Sequence, residues 1–407
     1  MNTKQTEIGE IPEDWEVVKL GDVAEIKSGG TPSTSNKDFW DGEIAWCTPT
    51  DITALKGDKY LTQTNRNITK SGLQYSAAEL LPVDSIVMTS RATIGECAIA
   101  KIPVATNQGF KNFICSDKAD SEFLYYLLGT QKKRFIALCA GSTFLEININ
   151  QVRNFQVALP ESKPEQTAIA AILSDTDRLL AALRALIGKK RAVKTAAMQQ
   201  LLSGRLRLPG FAATDRLKNS ELGEIPEDWE VVKLGEVARI KTGSKNNQDK
   251  ADNGLYPFFV RSETVERINT FSYACEAILV PGEGGIGKIF HYINGKFDAH
   301  QRVYVIREFQ NTVAKFVYFA MVHSFGAYAM ENSVKATVDS LRLPTFKNFQ
   351  FAAPKSNSEQ TAIAQILSDM DSEIAALEAR AAKLAQIKQG LMQNLLTGKI
   401  RVNTGAA

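Results

Sequence analysis

The chain has 407 residues, of which 44% are hydrophobic and 23% charged, a length that exceeds one typical hydrophobic core and predicts two or more domains. No apolar run approaches the about 18 residues of a membrane span, and the polar N-terminus lacks a signal-peptide pattern, so membrane and secreted classes are disfavoured and a cytoplasmic protein is expected. The formal net charge of +3 does not by itself predict a polyanion partner, and five scattered cysteines with three histidines favour neither a disulfide framework nor a metal site.

The first part of the chain predicts a β-rich body. Residues 83–115 alternate short apolar runs with turn residues, which is the pattern of successive strands. Residues 121–139 carry a denser apolar pattern that indicates shorter helices. The body is therefore expected to combine a sheet with a helical segment at its end.

A long helix is predicted next, between an S-x-x-E capping box at residues 162–165 and a C-terminal glycine at Gly204. Its apolar residues recur in steps of mostly three and four, a period typical of a coiled-coil seam rather than of a helix on a globular core. About 40 helical residues would be ~60 Å long. The predicted seam residues are Ile169, Leu173, Leu180, Leu183, Ile187, Val193 and Leu201.

Basic residues are concentrated in this middle part of the chain. Residues 161–219 contain eleven basic and five acidic side chains, whereas the parts before and after are close to neutral. Such a run is usually a solvated helix face, and a polyanion-binding surface is the alternative. The residues concerned include Lys189, Lys190, Arg191, Lys194, Arg205 and Arg207.

A second β-rich body is predicted after the helix. Residues 277–306 again alternate apolar runs with turn residues, and the Asn294-Gly295 dipeptide predicts a hairpin turn. Residues 312–329 indicate another short helix. The order of strands and helix thus repeats that of the first body.

The second body also contains a glycine-rich segment, GEGGIGK at residues 282–288, whose spacing includes G-x-G-x-x-G. Glu308 follows at about the distance of a ribose-binding acid. However, a phosphate loop needs a helix N-terminus directly after it, and a strand pattern follows here instead. Ile289 also stands where a Walker loop has its metal-binding hydroxyl. We therefore expect a tight β-turn, and the alternative is a nucleotide-dependent enzyme.

A second long helix is predicted between the S-x-x-E box at residues 356–359 and Gly398. Two such helices in one chain most simply pair with each other, and the alternative is that each packs on its own body. The predicted seam residues of the second helix are Ile363, Leu367, Met370, Ile374, Leu377, Leu384, Ile387, Leu391 and Leu395.

The chain is an internal repeat. Residues 9–21 and 223–235 are identical at 13 of 13 positions, and residues 165–177 match 359–371 at 11 of 13. The regions between these matches differ almost throughout, so each repeat has a variable body and a constant helix. The predicted segments are a first body at 1–160, a first long helix and linker at 161–207, a second body at 208–353, and a second long helix and tail at 354–407.

Several motifs in this order resemble the specificity subunit of type I restriction-modification systems over essentially the whole chain. They are the repeated GEIPEDWEVVKLG opening, the W-x-G-x-I-x-W-x-T-P-x-D-I segment at 40–52, SRATIG at 90–95 with NQGF at 107–110, GEGGIGK with HQR at 300–302, and the two EQTAIA-ILSD helix openings. The second body lacks the W-x-G-x-I-x-W segment, so its loops are not fully equivalent to those of the first.

The resemblance implies an α+β fold, with two β-rich target-recognition domains joined and separated by two long helices that form an antiparallel coiled coil with pseudo-twofold symmetry. It implies that each domain reads one half of a bipartite double-stranded DNA target, while the coiled coil sets the gap and docks two methylation subunits. This chain would be non-catalytic and without a cofactor of its own. S-adenosylmethionine, ATP and magnesium would serve the methylation subunits and the restriction (motor) subunits.

The DNA-contacting residues that we predict are loop side chains able to pair with base edges or phosphates. In the first body they are Ser90, Arg91, Thr93, Asn107, Gln108 and Lys111, and in the second they are Arg261, Lys288, His300, Gln301 and Arg302. The alternative function is a coiled-coil adaptor that links two protein partners without binding DNA.

Overall fold

A computed structural model describes residues 2–139, 145–212, 214, 216–285, 287–332 and 340–402. The chain divides into two compact units, one formed by Met1–Ala182 with Arg380–Ala407 and the other by Leu183–Ala379. Each unit therefore contains one variable body and one half of each long helix. Within the described ranges, no helix is long and apolar enough to cross a membrane.

The first unit contains short strands and helices up to its first long helix. Its strands are β1 (Thr3–Thr6), β2 (Gly9–Pro12), β3 (Trp15–Lys19), β4 (Ala24–Ser28), β5 (Trp40–Cys47), β6 (Tyr60–Leu61), β7 (Arg66–Ile68), β8 (Ile86–Thr89), β9 (Cys97–Ala100), β10 (Val104–Thr106), β11 (Phe110–Cys115) and β12 (Gln156–Pro160). Its helices are α1 (Leu20–Val23), α2 (Pro49–Ala54), α3 (Lys70–Gln74), α4 (Ser121–Thr130), α5 (Lys132–Leu138), α6 (Ile149–Arg153) and the first half of α7 (Lys163–Leu201).

A five-stranded sheet in the order β4-β11-β8-β9-β6 forms the centre of the first body. A smaller sheet, β10-β5-β7, lies beside it, and β3 pairs with β12 at the base of the body. The core buries Trp15, Phe113 and Phe123 together with the start of α7. The strands predicted within residues 83–115 are confirmed, and the helical segment at 121–139 is confirmed as two helices that meet at Gln131.

The second unit repeats this plan with different strands. They are β13 (Leu217–Ser220), β14 (Gly223–Pro226), β15 (Trp229–Lys233), β16 (Arg239–Thr242), β17 (Tyr256–Phe259), β18 (Val265–Ile268), β19 (Tyr273–Pro281), β20 (His291–Ala299), β21 (Val303–Arg307) and β22 (Gln350–Pro354). The helices are α8 (Leu234–Val237), α9 (Ala314–Ala320), α10 (Gly326–Glu331), α11 (Leu343–Lys347) and the first half of α12 (Asn357–Leu395), with a π-helical turn at Met321–Phe325 between α9 and α10.

A six-stranded sheet in the order β16-β21-β19-β20-β17-β18 forms the second body. The predicted hairpin at Asn294-Gly295 is wrong, because both residues lie within β20 and pair with β19, where Gly295 is opposite Cys275. A turn there would remove Phe297, which is fully buried, from the sheet. The chain reverses instead in the glycine-rich segment before β20 and again at residues 300–302.

The two long helices pair antiparallel, as predicted, and the pairing is visible within each unit. In the first unit, Ile169 near the start of α7 shares a core with Leu395 at the end of α12. Eight residues further along α7, Asp177 Oδ1 lies 2.5 Å from Lys388 Nζ. Residue numbers that rise along α7 therefore meet numbers that fall along α12.

The second unit has the same arrangement with the helices exchanged. Leu201 near the end of α7 shares a core with Ile363 near the start of α12, and Lys194 forms an ion pair with Asp371. The two pairs are equivalent in the repeat, since Asp371 stands 194 residues after Asp177 and Lys194 stands 194 residues before Lys388. Both lysines are largely covered, with side-chain exposures of 17% and 24%.

These ion pairs correct two seam predictions. Val193 and Ile387 were assigned to the seam, but they are 55% and 48% exposed, whereas their neighbours Lys194 and Lys388 face the partner helix. A buried lysine needs a facing carboxylate, so acidic residues on the opposite helix decide which side chain is enclosed. Much of the basic run is explained in the same way, because Lys190 Nζ lies 2.7 Å from Glu373 Oε1.

The repeated PEDW sequence contacts the segment that follows a long helix in each unit. In the first unit, Arg401 donates from Nε to Glu165 Oε1 at 2.6 Å and from Nη1 to Asp14 Oδ1 at 2.7 Å. We call this triad the first arginine clamp. Glu165 was expected to close a capping box, but its carboxylate accepts two hydrogen bonds from Arg401 instead.

The second arginine clamp consists of the equivalent residues Arg207, Asp228 and Glu359. Arg207 donates to Glu359 Oε1 at 2.9 Å and to Asp228 Oδ1 at 2.8 Å. The predicted C-terminal glycines are confirmed, because Gly204 and Gly398 have φ values of +72° and +69°. A Cβ at Gly398 would come within 2.4 Å of Pro12 Cγ, so the repeated motif also requires a close approach of this backbone.

Candidate nucleic-acid interface

The loop at residues 90–95 of the first body connects β8 to β9 and is held from both sides. Ser90 N–H donates to Gly109 O at 2.7 Å, and its carbonyl accepts from Ile147 N–H at 3.1 Å. Ala92 has a φ of +56°, a left-handed conformation that a non-glycine residue adopts only when its surroundings hold it there. The backbone on both sides of Arg91 is therefore held in one conformation.

Three charged side chains meet on this loop. Arg91 Nε lies 2.8 Å from Glu146 Oε2, and Lys111 Nζ lies 3.8 Å from Glu146 Oε1. Lys111 also donates to Ser90 Oγ at 3.3 Å. Burial lowers the pKa of Lys111, and the charge of Glu146 acts in the opposite direction. The side chain of Arg91 is 46% exposed, whereas that of Lys111 is only 5% exposed.

The structure thus brings Ser90, Arg91 and Lys111 together and buries the side chains of Ser90 and Lys111. Thr93 is exposed on the same loop. Gln108 is exposed on the neighbouring turn, where its side-chain oxygen accepts a hydrogen bond from the Thr31 hydroxyl. Asn107 Oδ1 accepts from Gly109 N–H at 2.9 Å and so stabilises the same turn.

The glycine-rich segment of the second body leads into strand β20 rather than a helix. Lys288 N–H donates to Gly285 O at 3.0 Å, which closes the β-turn that the sequence predicts. Gly284, Gly285 and Gly287 all have positive φ values. The segment therefore lacks the helix N-terminus that holds a phosphate in a nucleotide-binding loop. Lys288 is exposed on this turn.

Charged residues of the second body also converge at this segment. Glu283 lies between two arginines, with its carboxylate oxygens 3.5 Å from Arg261 Nη1 and 3.4 Å from Arg302 Nη1. His300 is buried, and its Nδ1 accepts from Arg302 N–H at 3.0 Å. Burial and then the charges of Arg261 and Arg302 lower the pKa of His300, which favours the neutral ring. Gln301 is exposed beside it.

Sequence reasoning missed Glu146 and Glu283, although each acid holds two of the predicted basic residues. An acid far along the chain gives no local signal of this role. It also missed Arg66, an exposed guanidinium that lies 3.9 Å over the ring of Trp40. The W-x-G-x-I-x-W segment could have suggested such a stacked cation, since indole rings favour cations over their faces. Contact of the eleven predicted residues with DNA stays a prediction.

Residues 12–189 and 226–389 match the family described as type I restriction modification DNA specificity domain. The chain is also similar to curated relatives from Methanocaldococcus jannaschii. It is 35% identical to the type I restriction enzyme MjaIX specificity subunit over 260 residues, which are 63% of this chain and 59% of that relative. It is 24% identical to the MjaVIII specificity subunit over 96% of this chain and 94% of that protein.

Solved structures show the same fold. The crystal structure of a type I restriction-modification system S subunit from M. genitalium superposes with a TM-score of 0.64 and 17% identity, covering 97% of this chain and 99% of that one. A second structure comes from work on the structural basis of complex assembly and conformational transition of the type I restriction-modification system. It superposes with a TM-score of 0.55 at 16% identity. At this level of identity the likeness concerns the fold alone.

Proposed function

This chain belongs to the type I restriction-modification DNA specificity family, and from that premise we propose that each of its two bodies reads one half of a bipartite DNA target. The observation that carries the proposal is a constant support for two different bodies. Equivalent arginine clamps and equivalent lysine–aspartate pairs occur at matching positions of both repeats. The sheets that they support differ in strand number and order.

We further propose that the paired helices set the gap between the half-sites and dock two methylation subunits. Restriction subunits would complete the assembly in the cytoplasm. In this proposal, the partners carry out methylation, ATP hydrolysis and cleavage with S-adenosylmethionine, ATP and magnesium, and this chain is not catalytic. The course of the glycine-rich segment into a strand supports this division, because that segment is the part of the chain most similar to a nucleotide-binding loop.

Exchange of the first body tests the proposal. Residues 22–153 would be replaced by the equivalent stretch of another family member, so that both junctions fall beside the retained pair β3 and β12, where Lys19 is opposite Gln156. Methylation mapping in cells that carry the complete system should show one new half-site, with the other half-site and the gap unchanged.

Other outcomes would contradict the proposal. If both half-sites changed together, the bodies would not be independent readers. If the chain bound its protein partners but protected no split DNA site, it would be a protein adaptor. As a control, Lys288→Ala should leave ATP hydrolysis by the complex unchanged per bound DNA, and loss of hydrolysis with normal DNA binding would indicate a nucleotide site in this chain.

A further inference from the structure

The loop of residues 90–95 and the glycine-rich segment each form one backbone bridge within their own body, but the bridging side chains of Arg91 and Glu283 have opposite charges. In the first body, Arg91 forms an isolated antiparallel bridge with Glu146, and in the second body Glu283 forms one with Ser340. Ser340 stands 194 residues after Glu146, the offset of the whole helical repeat. Equivalent bridges therefore present a guanidinium in one body and a carboxylate in the other.

Glu146 contacts Arg91 at one edge of the guanidinium group. Its Oε2 lies 2.8 Å from Arg91 Nε, and the side chain that ends in the two terminal nitrogens is 46% exposed. Those nitrogens form the end of the planar fork whose paired donors match the O6 and N7 acceptors of guanine in the major groove. A carboxylate beside Nε restricts the directions in which the fork can point.

Glu146 is itself fixed in place. Its second oxygen faces Lys111, whose side chain is 5% exposed and also contacts Ser90 Oγ. A buried ammonium group needs a nearby anion, so Lys111 holds Glu146 and Glu146 holds Arg91. Such a chain limits the entropy that Arg91 would lose on binding, because the side chain is positioned before DNA arrives.

We propose that Arg91 is a specificity-determining residue that reads a guanine in the first half-site, with Glu146 and Lys111 as its positioning residues. The inference rests on the proposed function and adds the base class and the supporting residues. In the second body, Glu283 contacts a terminal nitrogen of both Arg261 and Arg302, so the same bidentate contact is not preformed there.

The test uses the full chain in complex with its methylation partners and competition binding on duplexes that carry every single-base change in the target. Arg91→Gln should lower the preference for one G·C pair of the first half-site by roughly ten-fold or more. Arg91→Lys should weaken the same preference less than Arg91→Gln does, because a lysine can still donate to guanine but lacks the planar fork. Glu146→Gln should lose part of it although Arg91 is intact.

A matched control removes a positive charge elsewhere on the same body. Lys101 pairs with Asp84 at 2.6 Å in the turn at the opposite end of β9, so Lys101→Gln should leave every base preference unchanged. Circular dichroism would establish that each variant is folded, and Arg91→Lys preserves the charge balance around Glu146.

The inference would be overturned if Arg91→Gln weakened binding equally on all sequences and reduced the slope of log affinity against log salt concentration by about one, as expected for the loss of one phosphate contact. It would also be overturned if the lost preference were for a base other than guanine. An unchanged preference in Glu146→Gln would refute the positioning role. Failure of the proposed function would look different, because then the unmodified complex would select no split target.

Discussion

Substitution of Arg401 tests whether each arginine clamp stabilises its own unit independently of the other unit. In Arg401→Met the guanidinium that joins Asp14 to Glu165 is lost. The Glu165 side chain is 6% exposed, whereas that of Asp14 is 58% exposed, so Glu165 is the carboxylate left buried without a counter-charge. Asp14 keeps its contact with water, and its share of the loss should be small.

The size of the effect follows from this difference in burial. Removal of one partner of a buried ion pair costs roughly 3–5 kcal/mol, and the partial exposure of Arg401 places the expected loss near the lower limit, about 3 kcal/mol. For a unit of this size that corresponds to a decrease in melting temperature of roughly 6–12 °C. Glu165→Gln in the Arg401→Met background should recover about 2 kcal/mol, because a neutral amide is less costly to bury.

Hydrogen exchange measured by mass spectrometry can locate the change. Arg401→Met should reduce protection at residues 9–19, 163–170 and 395–402, all in the first unit, and leave the second unit, Leu183–Ala379, protected. Arg207→Met is the matched control, because it opens the equivalent clamp on Glu359 and should reverse the pattern. The reasoning is refuted if Arg401→Met loses less than about 1 kcal/mol of unfolding free energy, or if both units lose protection equally.

Three further predictions concern pH, helix length and a glycine. Burial would raise the pKa of Glu122, but hydrogen bonds from Lys59, Ser174 and Tyr60 lower that pKa to about 2. The ionised Glu122 carboxylate therefore stabilises the folded state fully above the ordinary pKa of 4.5, and this stabilisation is lost as the pH falls to 2. Thermal unfolding between pH 5 and pH 2 should therefore depend less on pH in Glu122→Gln. Four residues inserted after both Ala182 and Ala382 add ~6 Å to the paired helices, so methylation mapping should show a gap longer by one or two base pairs. An unchanged gap would refute the proposal that the paired helices set the distance between the half-sites. Gly398→Ala should lower the melting temperature, because Gly398 has a positive φ and a Cβ there would approach Pro12. Gly188 lies within α7 with open space around it, so Gly188→Ala should raise the free energy of unfolding by up to about 1 kcal/mol.

Local features of the fold were predictable because their signals lie within a few residues of one another. The long helices begin and end near the predicted serine and glycine positions, and the strand at Phe110–Cys115 matches its apolar run. The match of residues 165–177 with 359–371 also showed in the sequence that the two long helices are equivalent. Helical periodicity and glycine caps act over one or two turns, so they can be recognised in the chain alone.

The positions of charged side chains were less predictable. An apolar period favoured Val193 for the seam, but Lys194 faces the partner helix because Asp371 is opposite it. Asn294-Gly295 has a hairpin sequence, but pairing along the whole of β19 keeps it in a strand. In both cases contacts with the partner element outweigh the local preference, because burying several side chains contributes more free energy than the conformational preference of one or two residues.

The sequence by itself determined that two variable bodies alternate with two matching long helices, and that the same thirteen residues open each repeat. Only the tertiary structure showed why that opening is repeated. Asp14 contacts Arg401, a residue 387 positions away, and Glu146 Oε2 lies 2.8 Å from Arg91 Nε. Such contacts depend on how the chain returns to itself, and a carboxylate becomes a clamp or a positioning group only when folding removes it from water beside a particular cation.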